Sequence, residues 1–264
     1  MQIKEKKSGK LNKKSQVTIF IIISIVIIAV LAILLYPRLK IIGVSPETTE
    51  EYIEACAEKA IGEAKEKLSM QGGSLEPESY VMFSGNKVEY LCYTNEYYQK
   101  CVMQRPILKR HFEQEIEQYA KEKIDGCVSK FKSEIENKGY SADIAPVDVN
   151  VEIIPESIEV DIDTSITLTK GSSQTYSDFS ASSKSEMYNL LTISSSILNW
   201  EARYGDSDPV AYMAYYPDLK VEKLKQTDGT TIYTLTHRGT KEKFVFASRS
   251  IPWPAGYGVK EVLL

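Results

Sequence analysis

Residues 17–36 read VTIFIIISIVIIAVLAILLY, an unbroken run without a charged side chain. A helix rises about 1.5 Å per residue, so a run of this length spans about 30 Å, the thickness of the bilayer hydrocarbon core. A helix also satisfies every backbone N–H and C=O group internally, as lipid requires. The alternative is a buried helix of a soluble protein, which normally keeps a polar stripe that this run lacks. The sequence therefore predicts a transmembrane helix over 17–36, surrounded by membrane lipid.

The charges on either side of this run predict its orientation. Residues 1–16 are rich in lysine, with Glu5 as their one acidic side chain. Short lysine-rich tails stay on the cytoplasmic side of a membrane. The sequence thus predicts a single-pass protein of the cell membrane, with a cytoplasmic N-terminus and everything after Pro37 outside. The formal net charge of −4 argues against nucleic acid as a partner, because phosphates need a basic face.

All four cysteines lie beyond the predicted span, an even count typical of disulfides in an oxidising compartment. Cys92 and Cys101 bracket a short loop and are expected to pair. Cys56 and Cys127 lie on the apolar stripes of two predicted helices, so their disulfide would staple these helices together. Three pairings are possible from sequence alone. The spacing lacks the C-x₂-C pairs of a zinc ribbon, so no metal site is predicted.

Two long amphipathic patterns, at 46–71 and 106–138, predict helices that flank a hairpin at 80–93. Beyond residue 140 apolar residues alternate, which predicts strands, interrupted by a helix at 185–204. The expected fold class is α+β: an N-terminal transmembrane helix followed by a disulfide-braced ectodomain of two long helices with an antiparallel sheet. The expected parts are a cytoplasmic basic tail (1–16), the transmembrane helix (17–36), a helical, disulfide-braced membrane-proximal part (45–140) and a sheet-rich distal part (141–264).

The stretch KKSQVTIF, which begins at Lys13, resembles an archaeal class III signal peptide, the type found on type IV pilin-like proteins. The resemblance implies Lys13 and Lys14 as the dibasic pair, Ser15 where the family usually has glycine, and cleavage before Gln16. Such cleavage would leave the hydrophobic helix on the mature protein. Phe20 stands where assembling pilins commonly carry glutamate, which is a departure from the family. The alternative is an uncleaved signal anchor with lysines.

The order of several motifs also resembles a group of archaeal single-pass membrane proteins of uncharacterised function. The motifs are QVTIF, Cys56, the QGG at 71–73, Cys92, Cys101 and Cys127, and they cover roughly the first half of the chain. The resemblance implies a place in the membrane. It implies no activity.

No catalytic constellation stands out in the sequence. It contains no H-E-x-x-H, G-x-S-x-G or G-x-x-x-x-G-K-[ST] motif, and no sequence neighbour gives His111 or His237 an acid–base partner. No catalytic, cofactor-binding or metal-binding residues are therefore predicted. Tyr93, Tyr97 and Tyr98 form a candidate binding surface around the short cysteine loop; the alternative is that these amphipathic rings pack over a disulfide.

These observations predict a membrane-anchored extracellular or envelope protein with a pilin-like surface or structural role, and not an enzyme. Its expected partners are membrane lipid and envelope or pilus-like proteins. Two alternatives stay open: a membrane-tethered module that binds a ligand such as a peptide or glycan, and a hydrolase with an unrecognised site. A deep pocket lined by convergent polar groups would favour the hydrolase, whereas the binding module would use the loop at 93–98.

Overall fold

A computed structural model describes residues 23–27, which are helical, and residues 45–254, which fall in one compact unit. The basic tail, the predicted processing site at 13–16 and most of the predicted span 17–36 lie outside the described residues. Within the residues that are described, no helix combines the length and the apolarity needed to cross a membrane.

Two long helices begin the compact unit. A short 3₁₀ turn, Pro46–Thr48, leads into α1, Thr49–Met70, and α2 spans Leu108–Asn137. Proline suits the first turn, because its missing N–H would have no helical partner there. The apolar stripes of the two helices pack against each other, which brings half-buried cysteines face to face.

Two cysteine pairs lie at disulfide distance. Cys56 of α1 pairs with Cys127 of α2, with their Cα atoms 6.4 Å apart. Cys92 pairs with Cys101, with a Cα separation of 5.3 Å. The helix stripes and the short loop predict the same two pairs.

The rest of the unit is rich in strands. The described strands are β1 (Tyr80–Phe83), β2 (Asn86–Tyr93), β3 (Val102–Met103), β4 (Ser141–Ile144), β5 (Asp148–Ile154), β6 (Ser157–Asp163), β7 (Ile166–Lys170), β8 (Ser172–Tyr176), β9 (Phe179–Lys184), β10 (Leu219–Lys225), β11 (Thr230–His237) and β12 (Lys243–Arg249). The largest sheet has the order β1-β2-β12-β11-β10, with β3 added to β2. The other two sheets have the orders β4-β7-β8 and β5-β6-β9.

The predicted ectodomain of two long helices with an antiparallel sheet is wrong. The structure is still α+β, but its described part has 12 strands in three sheets, and β2 and β12 pair in parallel. This pair joins Tyr93 to Arg249, which lie 156 positions apart along the chain. The spacing of apolar residues along the sequence does not predict the pairing of β2 with β12, because this pairing depends on packing in the assembled core. The polar strand β8 likewise carries no apolar alternation.

The hydrophobic core draws on both predicted parts of the ectodomain. Its largest fully buried side chains include Phe112 and Phe131 from α2 and Tyr233, Phe244 and Phe246 from β11 and β12. The parallel pairing of β2 with β12 also interleaves residues 45–140 with residues 141–264. The two parts thus share one core.

Two further helices create a concave surface on this core. Helix α3 spans Met187–Tyr204 and α4 spans Pro209–Tyr215. Gly205 ends α3 with a left-handed φ of 81°, and a Cβ atom there would collide with Pro252. Asp208 then caps α4 by accepting a hydrogen bond from the Val210 N–H at 2.9 Å. This turn folds α4 back beside α3, and none of the α4 residues is buried.

Candidate functional site

A cavity of about 530 Å³, the aromatic pocket, lies between the C-terminal half of α3 and the segment that contains α4. Pockets of about 300–1,000 Å³, lined mainly by apolar and aromatic side chains, are typical of small-ligand sites. The lining consists of four aromatic residues and four small or polar ones: Trp200, Tyr212, Tyr215 and Tyr216, with Ser196, Ser207, Asp208 and Ala211.

The aromatic side chains of the pocket are unusually exposed. The exposed fractions are 49% for Trp200, 83% for Tyr215 and 52% for Tyr216. Trp200 is also supported from outside the pocket by Tyr204, whose ring stacks on it at a centroid distance of 4.8 Å. Scattered apolar residues are normal on a surface, but a cluster of aromatic rings around a concavity marks a surface suited to binding.

One polar group in the lining has no partner. Ser207 is 3% exposed, and its Oγ has no hydrogen-bond partner among the described residues. A buried hydroxyl in this state costs about 1–3 kcal/mol. Ser196 Oγ and Tyr212 OH, in contrast, are 2.8 Å apart and satisfy each other.

A buried polar network supports the segment that carries Ser207. Glu201, on the inner face of α3, is 1% exposed and accepts hydrogen bonds from Tyr233 OH and, at 3.0 Å, from Ser248 Oγ. Burial raises the pKa of the Glu201 carboxyl, and burial together with the Glu201 charge raises the pKa of Tyr233. Lys223 Nζ lies 5.4 Å from the centre of the Tyr233 ring and donates to the Ser207 carbonyl at 2.6 Å.

A second depression, of about 430 Å³, continues from the aromatic pocket. Tyr216 lines both of them. The second depression carries the carboxylates Glu156, Glu186 and Asp218, together with His237. The aromatic pocket therefore has an acidic depression as its neighbour.

The tyrosines predicted to form a binding surface are only partly brought together. Tyr93 and Tyr97 line an open depression of about 590 Å³, whereas Tyr98 is 73% exposed and is not part of that lining. The ring of Tyr93 lies 5.1 Å from the ring of Tyr90 and 5.8 Å from the Arg249 guanidinium. These contacts describe rings packed beside a disulfide as well as they describe a binding surface.

A cluster around His111 has no counterpart in the sequence patterns. His111 Nε2 lies 2.8 Å from Ser74 Oγ, Ser74 donates to Glu89, and Arg105 donates to the other Glu89 oxygen at 2.8 Å. No sequence neighbour of His111 predicts these hydrogen-bond partners. The partners come from three separate segments, so no local spacing could have revealed them.

The donor and acceptor roles in this cluster do not fit a catalytic pair in which Ser74 is the nucleophile and His111 is its base. Since Glu89 is ion-paired with Arg105, the Ser74 proton points to the carboxylate, and the neutral imidazole donates its own Nε2 proton to Ser74. A catalytic imidazole must instead accept the serine proton. Ser74 is 2% exposed. Burial, with the charge of Arg105, lowers the pKa of His111 to about 4.

The low pKa of His111 predicts a loss of stability in acid. The folded pKa is about 4, against 6.5 for an ordinary histidine. As the pH falls through this interval, the unfolded chain gains a proton that the folded chain does not, so the free energy of unfolding falls. We expect a loss of about 1–2 kcal/mol, because solvent screens this partly buried ring.

The measurement is urea unfolding at about pH 7 and about pH 4.5 for the native chain and for His111→Gln. The amide of glutamine can still donate to Ser74 but does not titrate. Arg105 and Glu89 are unchanged in both proteins, so a difference between the two pH profiles reports on His111. Equal pH dependence in the two proteins would contradict the expected role of His111.

Among the residues that the structure describes, no group of three or more His, Cys, Asp or Glu side chains is placed to hold a metal ion. No protein-family model, curated protein or solved structure matches the chain. The function has to be inferred from the geometry of the chain itself, in which the aromatic pocket is the feature best suited to a ligand.

Proposed function

We propose that this chain is a membrane-anchored protein of the cell surface whose outward-facing domain is a binding module, with the aromatic pocket as its binding site. The observation that carries the proposal is the cavity of about 530 Å³ whose lining includes the exposed aromatic side chains of Trp200, Tyr215 and Tyr216. A cluster of exposed aromatic rings around a concavity is typical of a surface that binds a ligand. A ligand held between the rings would cover this apolar surface.

The anchor and the compartment are part of the proposal. The apolar run 17–36 and the lysine-rich tail support a single-pass anchor with the domain outside. The disulfides Cys56–Cys127 and Cys92–Cys101 support an oxidising exterior. The pilin-like stretch supports processing before Gln16 and contact with envelope proteins.

Binding fits the pocket better than catalysis. Its lining carries one carboxylate, Asp208, and no histidine, cysteine or lysine. One oxygen of Asp208 already caps α4. General acid–base or nucleophilic chemistry needs a titrating group beside a positioned partner, whereas aromatic faces and a few hydroxyls are suited to holding a ligand.

The pocket is tested with small probes on the full-length chain in lipid nanodiscs. Ligand-observed NMR with indole, phenol, N-acetylproline amide and methyl β-glucoside should detect millimolar binding of at least one probe. Trp200→Ala should weaken that binding about tenfold, because a stacked ring contributes about 1–1.5 kcal/mol. Ser207→Ala should leave probe binding unchanged and should not destabilise the free protein, because it removes a buried, unsatisfied hydroxyl. Trp253→Phe is the matched control outside the pocket.

Two outcomes would remove the pocket from the proposal. One is the absence of binding for all four probes. The other is binding that persists in Trp200→Ala but disappears in Tyr97→Ala, which would move the site to the tyrosine loop.

The placement is tested on intact cells. Added protease should remove the C-terminal domain, and mass spectrometry should find Gln16 at the mature N-terminus. A domain that stays protected would contradict the surface location. An N-terminus that still begins with Met1 would remove the processing step alone.

A further inference from the structure

The aromatic pocket and the acidic depression are neighbours along α3 and share Tyr216 in their linings. Asn189, Ile193, Ser196 and Trp200 also belong to these linings at steps of three or four residues, which places them on one face of the helix. The segment 207–219 supplies most of the opposite wall. With a rise of about 1.5 Å per residue, the helix wall between Glu186 and Trp200 is about 21 Å long. We call this surface the α3 groove.

The two ends of the α3 groove differ in chemistry. Glu156, Glu186 and Asp218 line one end, and none of the three carboxylates takes part in a salt bridge among the described residues. Asn189 donates to one Glu186 oxygen at 2.9 Å, which does not neutralise its charge. The other end is the aromatic pocket, with its unpartnered Ser207 hydroxyl. A complementary ligand is therefore cationic at one end and apolar at the other.

The length of the groove indicates an extended chain. A polyproline II segment rises 3.1 Å per residue, so about 21 Å accommodates about seven residues. This conformation is already populated in solution, so it loses little entropy on binding, and its proline rings pack against tyrosine and tryptophan faces. Lysine or arginine at one end of such a segment would lie beside the unpaired carboxylates.

We propose that the α3 groove binds an extended, proline-rich segment of a partner protein, with proline or aromatic side chains in the aromatic pocket and lysine or arginine at the acidic end. The inference rests on the proposed function, since it names the class of ligand for the same site.

The hydrogen-bonding groups of the aromatic pocket favour a peptide over a glycan at that end of the groove. A sugar carries a hydroxyl on almost every carbon and needs a partner for most of those that it buries. In the aromatic pocket, Ser196 and Tyr212 already bond each other, and Asp208 caps α4. Ser207 is the buried group left without a partner. A proline-rich segment presents apolar rings and widely spaced carbonyls, which need few such groups.

The test begins with selection from a random dodecapeptide phage library on the full-length chain in nanodiscs. We expect enriched peptides to combine prolines, with or without aromatic residues, with lysine or arginine near one end. A synthetic copy of the most enriched peptide, labelled with a fluorophore, then gives Kd values by fluorescence polarisation.

Three variants locate the bound peptide. Trp200→Ala should raise its Kd at least tenfold, and Trp200→Phe should restore most of the loss because it keeps a ring. The double variant Glu186→Gln/Asp218→Asn should raise the Kd about fivefold and flatten its dependence on salt. Asp161→Asn, an exposed carboxylate on β6, is the matched control and should leave the Kd unchanged.

The outcomes separate this inference from the proposed function. Enrichment without proline or without basic residues, or an unchanged Kd in Trp200→Ala, would overturn the inference. Trp200-dependent binding of an oligosaccharide on a glycan array, with no peptide enriched, would do the same while leaving the binding module intact. Failure of peptides, glycans and all four small probes would overturn both.

Discussion

Replacing Glu201 by alanine is expected to lower the free energy of unfolding by about 3–5 kcal/mol. The carboxylate is 1% exposed and accepts hydrogen bonds from Tyr233 and Ser248, both of which are fully buried. Alanine would leave two buried hydroxyls without their acceptor and a cavity in place of the side chain. Urea unfolding of the native chain and the variant measures the difference.

Glu201→Gln is the matched control for this prediction. Its amide has nearly the same shape and can still bond both hydroxyls, so a loss of about 1 kcal/mol or less is expected. A loss below 1 kcal/mol for alanine as well would contradict the role of Glu201 in the buried network.

The pH dependence of the glutamine variant gives an independent check. The pKa of Glu201 is raised in the folded protein. At a pH between the ordinary pKa and this raised pKa, the folded protein keeps the Glu201 proton, whereas the unfolded chain has released it. Stability from this group is therefore lost as the pH rises towards the raised value. Glutamine should abolish that loss. An unchanged pH profile would mean that Glu201 is ionised in the folded protein.

Removal of the disulfide between the long helices is expected to have an effect of similar size. The double variant Cys56→Ser/Cys127→Ser opens a loop of 71 residues, worth about 4 kcal/mol in the chain-entropy model. Both cysteines are half-buried, so serine can be accommodated there. The loss is measured as the difference in the free energy of unfolding between the variant and the oxidised native chain.

The second disulfide provides the comparison. Cys92→Ser/Cys101→Ser opens a loop of only 9 residues, for which the same model gives about 2–3 kcal/mol. Chemical reduction of the native chain should remove both contributions together. A smaller loss for the long loop than for the short one would show that strain or residual structure in the unfolded chain outweighs loop entropy.

The same residues show where inference from the sequence ends. Trp200 belongs to the apolar repeat of the helix predicted at 185–204, which suggests burial. In the structure it is 49% exposed and lines the aromatic pocket. Residues 205–209 predict that the helix ends there. They do not predict the direction in which the chain continues after the helix. Only the left-handed turn at Gly205, packed against Pro252, places α4 so that a pocket is formed.

The His111 cluster illustrates the same limit. No pattern near His111 points to Ser74 or Glu89, because these partners lie 37 and 22 positions away along the chain. They meet only because α2 packs beside the turn that follows α1. When hydrogen-bonded side chains come from separate segments, the sequence around each of them contains no periodic pattern or spacing that predicts the group.

By itself, the amino-acid sequence determined the positions of the long helices. The patterns at 46–71, 106–138 and 185–204 agree within three residues at each end with the described helices that end at Met70, Asn137 and Tyr204. Helical hydrogen bonds close within four residues, so the apolar period that accompanies them is local. Only the tertiary structure decided the three sheets, the parallel β2–β12 pair and the α3 groove. Each of these joins segments far apart in the chain, and such contacts are selected by the packing of the whole core.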